Sequence, residues 1–580
     1  MRLLSTTLVA LVIATGTAFA QMPAHAPATD PSTGPIRAEA VTARHGMVVS
    51  QEAQASKIGA DVLARGGNAV DAAVATAFAL AVTLPRAGNL GGGGFLVLHR
   101  ADGKNTTIDF RESAPAAATA DMFLDAAGNA DPEKSRSGAL GIGVPGSVAG
   151  LALAHERYGS GRFSLAELIA PAEKLAREGV RVEGDLLDSL LLLAPRLARF
   201  PASRRIFLKA DGSAPAEGEK LVQTDLADTL AAIAKNGPTA FYEGPIADKI
   251  ANAVQAAGGR ITTADLEAYR AVEREPVVGT YRGHEVISMA PPSSGGVHLI
   301  EMLNILEGFD LAALGAGSPK ALHLEIEAMK RAYADRAAFL GDPARTDLPL
   351  EKLISKSYAA SLRKDIDPDH ATPAEKIRPD SPALGGAAHD TTHLSVVDRG
   401  GNAVALTTSL NFNYGVGMVA EGTGVLLNNT LDDFSAKPGA PNAFGLIGGP
   451  ANAPGPDKRP LSSMTPAVVL DAGKPVLVTG APGGSRIIST VLQVIVNRLA
   501  FGLSPAEAVA EPRVHHQWRP DVVLAERTLP AATVEALRAM GHPVRMASTF
   551  GAAHTIAVGP DGSLVGVADQ RSRGAFAAGF

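Results

Sequence analysis

Between Ser50 and about Asp367 the chain alternates helical and strand signals, and after Thr391 strands dominate. Two Ala-rich stretches, 51–65 and 69–82, predict helices separated by Gly66-Gly67-Asn68. The glycines at 91–94 lead into a predicted strand at 95–98. Amphipathic helices follow at 165–178, where Ser164 is the cap and Pro171 a candidate interruption, and at 226–236 and 318–340. Beyond Thr391 the pattern predicts strands at 392–398, 403–410, 425–428 and 475–479. One helix follows Gly483-Gly484, with Ile488, Val491, Leu492, Ile495, Val496 and Leu499 as its apolar stripe. Neighbouring strand positions are apolar on both faces (Val396 and Val397, Val404 and Leu406), so the sheets are covered on both sides. The late strands need the earlier helices as cover, and the two parts should share one core. There is no internal repeat and no heptad pattern.

The boundary between these textures is abrupt. Residues 371–390 carry three prolines, Gly385-Gly386 and no apolar periodicity, which predicts an exposed connector. The octet Thr391-Thr392-His393-Leu394-Ser395-Val396-Val397-Asp398 then begins a strand. A Thr-Thr pair here fits an ordinary edge strand. It also fits a second reading, in which cleavage of the Asp390–Thr391 bond makes Thr391 an amino terminus and a nucleophile. The α-amine so released titrates at about 7.7–8.0 in model compounds, which suits it to take the proton of its own hydroxyl.

Composition narrows the classes. The chain of 580 residues is 46% hydrophobic and 19% charged with formal net charge −6, so nothing electrostatic points to nucleic acid. Met1-Arg2, the apolar run 3–14 and Ala18-Phe19-Ala20 predict a cleavable export signal over 1–20, with a mature start near Gln21. No other stretch is long and apolar enough to be expected to span a membrane. The absence of cysteine excludes disulfides and a thiol nucleophile, and with the signal it suggests a periplasmic or secreted protein. His515-His516-Gln517-Trp518 reads as packing, without a carboxylate or Cys partner at suitable spacing, and Asp335-Arg336 reads as an ion pair or cap. No metal and no cofactor are expected.

Acyl transfer needs donors for an oxyanion, and Pro482-Gly483-Gly484-Ser485 at a helix start offers them, though a tight strand-to-helix turn would need the same glycines.

Taken together, the motifs resemble the γ-glutamyltranspeptidase family of N-terminal-nucleophile hydrolases. The resemblance rests on the octet at Thr391, Leu427-Asn428-Asn429 with Asp432-Asp433-Phe434-Ser435, Arg459 to Met464, and Pro482 to Ile488. Gly66 to Ala73, Asp109-Phe110-Arg111-Glu112 and Pro291 to Gly296 agree with it, so it spans nearly the whole mature chain. It implies an α+β fold, a four-layer αββα sandwich built from a large fragment, 21–390, and a small catalytic one, 391–580, that pair after self-cleavage. It implies Thr391 as nucleophile and Gly483 and Gly484 as oxyanion hole. Arg111, Ser462 and Ser463 would hold a substrate α-carboxylate, and Asn411 and Asp433 its α-amino group. The implied donors are glutathione and other γ-glutamyl amides; the acceptors are water, amino acids or dipeptides.

Three positions depart from the commoner family pattern. Ser409 stands where a second Thr often accompanies the nucleophile, Thr430 where Gln or Glu is usual, and Phe444 replaces a frequent Tyr in the lid-like segment 437–449. Phe444 can exclude water but has no hydroxyl to latch with. A homologous acylase for glutaryl-type amides is one rival reading, and a non-catalytic γ-glutamyl-binding protein is another.

Overall fold

The computed structural model describes residues 36, 38–377 and 391–580. The expected export signal, 1–20, and the Asp390 side of the expected cleavage bond lie outside the described residues.

Two seven-stranded sheets form the centre. The first runs, strand by strand, Phe576–Gly579, Gly46–Ser50, Thr392–Asp398, Ala403–Ser409, Gly93–His99, Asn105–Asp109 and Val272–Arg274. The second runs Ala38–Ala43, Leu564–Asp569, His554–Val558, Lys474–Thr479, Ala467–Asp471, His284–Ser288 and Val277–Tyr281. All strand pairs within both sheets are antiparallel.

The alternation of side chains explains the layering. In the first sheet Val48, Leu394, Val396, Val404, Leu406 and Leu96 face one hydrophobic cluster, shared with the helices Ala53–Ala64 and Ala69–Thr83. Their neighbours Val49, Val97, Val397 and Ala405 face the other cluster, with Val468, Val478, Ile556 and Val567 of the second sheet. That sheet is covered in turn by Gly295–Leu306, Pro319–Phe339 and Arg486–Leu499, whose Leu299, Met329 and Ile488 join the same cluster. The fold is thus an α+β, four-layer αββα sandwich, as expected, and both halves of the chain contribute to each sheet.

Most expected elements stand within a residue or two of their positions. Asn68 accepts from the Val70 and Asp71 N–H groups at 3.0 Å each, while Asp71 accepts from the Asn68 N–H; this capping box starts a helix whose every residue is buried. The helix Leu165–Glu178 continues through Pro171, held by its Ser164–Glu167 capping box and by buried Leu168, Ile169, Ala172 and Ala176. The strand expected at 425–428 is only Val425–Leu426. Asn428 leaves the ladder because its side-chain amide donates to Gly91 O and Gly143 O and its Oδ1 accepts from Gly143 N–H.

Helix Pro319–Phe339 also grips the chain just before the undescribed connector. Glu327 accepts from Lys330 at 3.0 Å, Arg331 at 2.7 Å and the Thr372 N–H at 3.0 Å. Lys330 donates in turn to Thr372 O, and Arg331 to Asp365 O. Although burial opposes the charge, the two cations hold the Glu327 carboxyl down at about 2, against an ordinary 4.5. The stabilisation from this depressed carboxyl is therefore complete above pH 4.5 and lost as pH falls toward about 2. Glu327→Ala should cost about 3–5 kcal/mol, because buried Arg331 loses its carboxylate and buried Lys330 keeps only the more distant Asp521, at 3.8 Å. Denaturant unfolding at neutral pH checks this; a change under about 0.5 kcal/mol, typical of surface sites, would refute it.

Candidate active site

Thr391 directly precedes the third strand of the first sheet and is 5% exposed. The register Thr392↔Thr408 sets Ser409 beside it, and the Thr391 hydroxyl lies 3.5 Å from Ser409 Oγ. Ser409 Oγ also accepts from the Asn411 N–H at 2.8 Å. Asn411 has φ of 74°, a left-handed conformation that Asn tolerates better than most residues, and its amide donates to Asn429 O at 3.0 Å.

Arg111 follows the strand Asn105–Asp109 and is buried. Its Nε donates to Pro460 O at 3.2 Å, and its Nη2 pairs directly with the Asp433 carboxylate. Asp433 closes the short turn Thr430–Asp433 and accepts from Asn442 Nδ2 at 3.3 Å. Burial pushes its carboxyl above the usual range, and Arg111 pulls it back. Arg111 and Asp433 thus neutralise one another.

Ser462 and Ser463 reach the same space through a backbone relay. Ser462 N–H donates to Pro292 O, and Ser462 O accepts from the Ser294 N–H and hydroxyl at 2.9 and 2.8 Å. The Pro291 to Gly296 segment is thereby the support for the two serines. Arg336 adds a second buried cation beneath them: it donates to Ser294 Oγ at 2.9 Å and Ser463 Oγ at 3.3 Å. The expectation of an ion pair or cap missed this role for Arg336. Burial lowers its guanidinium to about 10, still charged at neutral pH.

Gly483 and Gly484, with φ of 131° and 57°, turn the chain into helix Arg486–Leu499. Among the described residues neither glycine N–H is taken up by an acceptor. A Cβ on Gly484 would clash with the Phe444 ring, so Phe444 packs directly against the turn. Phe444 is fastened through its main chain, its carbonyl accepting from Gln517 Nε2 at 2.9 Å. That bond runs through the main chain and needs no hydroxyl at 444.

One pocket collects Arg111, Thr391, Ser409, Asn411, Asp433, Phe444, Ser462, Ser463 and Gly484. Thr430 does not line it: its hydroxyl donates to Glu112 Oε1 at 2.6 Å, behind Arg111. Gly483 faces the far side of Phe444. The histidine pair is buried as expected, with one correction. A carboxylate partner does exist five residues on, since His516 Nε2 lies 3.0 Å from Asp521 Oδ1, whereas His515 bonds Ser489 and Gln517. A buried group that the sequence did not suggest, His323, Glu327 and His542, brings three ligand-type atoms within 4.8 Å. His323 Nδ1 and His542 Nε2 lie 2.7 Å apart and Glu327 holds two cations, while His542 Nδ1 is buried without a hydrogen-bond partner among the described residues.

Comparison with known proteins agrees with this geometry. The sequence model of the family described as Gamma-glutamyltranspeptidase matches residues 55–579. The chain is 51% identical to the glutathione hydrolase proenzyme of Escherichia coli K12 over 93% of both chains. Among solved structures, the cephalosporin acylase from Bacillus halodurans is similar with a TM-score of 0.83 at 29% identity, over 96% of this chain and 99% of that one. The Helicobacter pylori γ-glutamyltranspeptidase has a TM-score of 0.56 at 44% identity, over 61% of this chain and 97% of that one. No helix among the described residues is long and apolar enough to cross a membrane. The chain belongs to the γ-glutamyltranspeptidase family, as an enzyme of the glutathione-hydrolysing, γ-glutamyl-transferring kind.

Proposed function

We propose that export removes residues 1–20, that the Asp390–Thr391 bond is cut, and that Thr391 then works as an amino-terminal nucleophile in the periplasm or outside the cell. The observation that carries this reading is the convergence of the Thr391 hydroxyl, the Gly484 turn and the buried Arg111–Asp433 pair on one pocket. The cut begins with attack of Thr391 Oγ1 on the Asp390 carbonyl; an N-to-O shift and hydrolysis of the ester follow. The freed α-amine then accepts the hydroxyl proton.

In turnover Oγ1 attacks the γ-carbonyl of the donor, and the oxyanion is held by the N–H groups of the Gly483-Gly484 turn. The amine leaves with a proton, giving a γ-glutamyl ester on Thr391. Water, an amino acid or a dipeptide then attacks the ester carbon, and the C–Oγ1 bond breaks as the hydroxyl is restored. Arg111, Ser462 and Ser463 are assigned to the substrate α-carboxylate, Asn411 and Asp433 to its ammonium, and Ser409 to orienting Thr391. Thr430 acts indirectly, by fixing Glu112 behind Arg111.

The self-paired clamp favours a γ-glutamyl donor over a glutaryl one. A zwitterion exchanges one ion pair for two, its carboxylate taking Arg111 and its ammonium taking Asp433. A glutaryl group takes Arg111 but strands Asp433, buried and without a counter-charge. γ-Glutamyl anilide should therefore be turned over at least about 100-fold more efficiently than glutaryl anilide. A preference for glutaryl would establish the acylase reading instead, and a single uncleaved band without turnover would establish the binding-protein reading.

A further inference from the structure

A second pocket shares Phe444 with the Thr391 pocket and is also bordered by Gly483. Its floor is a small three-stranded sheet, Val514–His515, Val523–Glu526 and Val544–Ala547. The register pairs His515 with Leu524 and Leu524 with Arg545, so one row of side chains crosses the three strands on one face. All three line the pocket. Arg545 is exposed, and its guanidinium has no hydrogen-bond or ion-pair partner among the described residues. Arg486, half-buried at the start of the helix after Gly484 and lying over the Phe550 ring at 5.2 Å, lines the opposite side. No Asp or Glu lines this pocket.

Resting on the proposed ester chemistry at Thr391, we infer that this pocket is the subsite for the non-glutamyl part of the substrate, with Arg545 binding its terminal carboxylate. The amine that leaves in acylation and the one that attacks in transfer occupy the same place, because transfer retraces acylation. That place must lie on the oxyanion-turn side of the γ-carbonyl, since the α-group clamp fills the other end. The pocket offers cationic charge from Arg486 and Arg545 beside the apolar Pro520, Val522 and Leu524, which suits a short peptide or amino acid with a free carboxylate.

The test compares substrates that differ only at that end. In the Arg545→Gln enzyme, kcat/KM for glutathione relative to γ-glutamyl anilide, which has no carboxylate there, should fall roughly five- to tenfold. Transfer to glycylglycine should fall by a similar factor relative to transfer to glycylglycinamide, and Arg545→Lys should restore most of both ratios. Equal losses for both members of each pair, or unchanged ratios, would overturn the inference while leaving the nucleophile assignment standing. Failure of the unmodified enzyme to turn over either donor would instead overturn the Thr391 reading on which the inference rests. Arg545 is exposed and unpaired, so thermal unfolding of the variants should match that of the unmodified protein.

Discussion

Thr391→Ala should give a protein that folds, migrates as one uncut band on a denaturing gel, and has lost at least about 10⁴-fold in γ-glutamyl turnover. Two functions leave with one hydroxyl. Without Oγ1 nothing attacks the Asp390 carbonyl, so the α-amine never becomes free, and the acyl ester has no oxygen to form on. The folded state should survive, because Thr391 stands ahead of its strand and the ladder begins at Thr392. Thr391→Ser separates the effects further: it keeps the oxygen on a less restricted χ1, so cleavage should occur but more slowly. A two-fragment, active Thr391→Ala enzyme would end the assignment.

Arg111→Gln should lower kcat/KM for glutathione by two to three orders of magnitude, about 2.7–4 kcal/mol, chiefly through KM. The substitution removes the fork that receives the α-carboxylate. It also leaves Asp433 with no cation in direct contact, in a pocket where burial already pushes its carboxyl upward. Arg111→Lys should recover only part of the loss, since a point charge cannot reproduce bonds to both Pro460 O and a carboxylate. Steady-state kinetics decide it, and an Arg111→Gln enzyme with an unaltered KM would remove Arg111 from the site.

What the sequence disclosed, and what it withheld, follows from range. The break at Gly66-Gly67-Asn68, the Ser164 cap and the stripe after Gly484 are local patterns, and each appears where it was expected. The strand 46–50 pairs only with 392–398 and 576–579, hundreds of residues on, and nothing local marks it, whereas 284–288 and 564–569 each form a hairpin with a neighbour, 277–281 and 554–558, in addition to a distant partner. The same limit applies at the site. Arg111, Thr391 and Asp433 were named by motif resemblance, whereas Arg336 beneath Ser463 and Gln517 on the Phe444 carbonyl were not. Nothing near Arg336 in sequence hints at Ser463, 127 residues away, and a main-chain latch leaves no mark at position 444 itself. His516 and Asp521 show the converse: five residues apart, their pairing depends on the turn between them rather than on strand alternation.

The interleaving of the two sheets has a consequence for how activation is controlled. Strands from before and after residue 391 alternate: 392–398 lies between 46–50 and 403–409, and 576–579 flanks 46–50 on its other side. A cut ahead of Thr391 therefore releases nothing, since each piece supplies the neighbours that complete the other's ladders. It is a change of covalent bond almost without a change of shape. For the same reason the oxygen of Thr391 has no pocket to act in until both sheets have formed. On the mechanism proposed above, cutting would be a certificate of folding, written by the chain on itself, and a misfolded copy would remain inert.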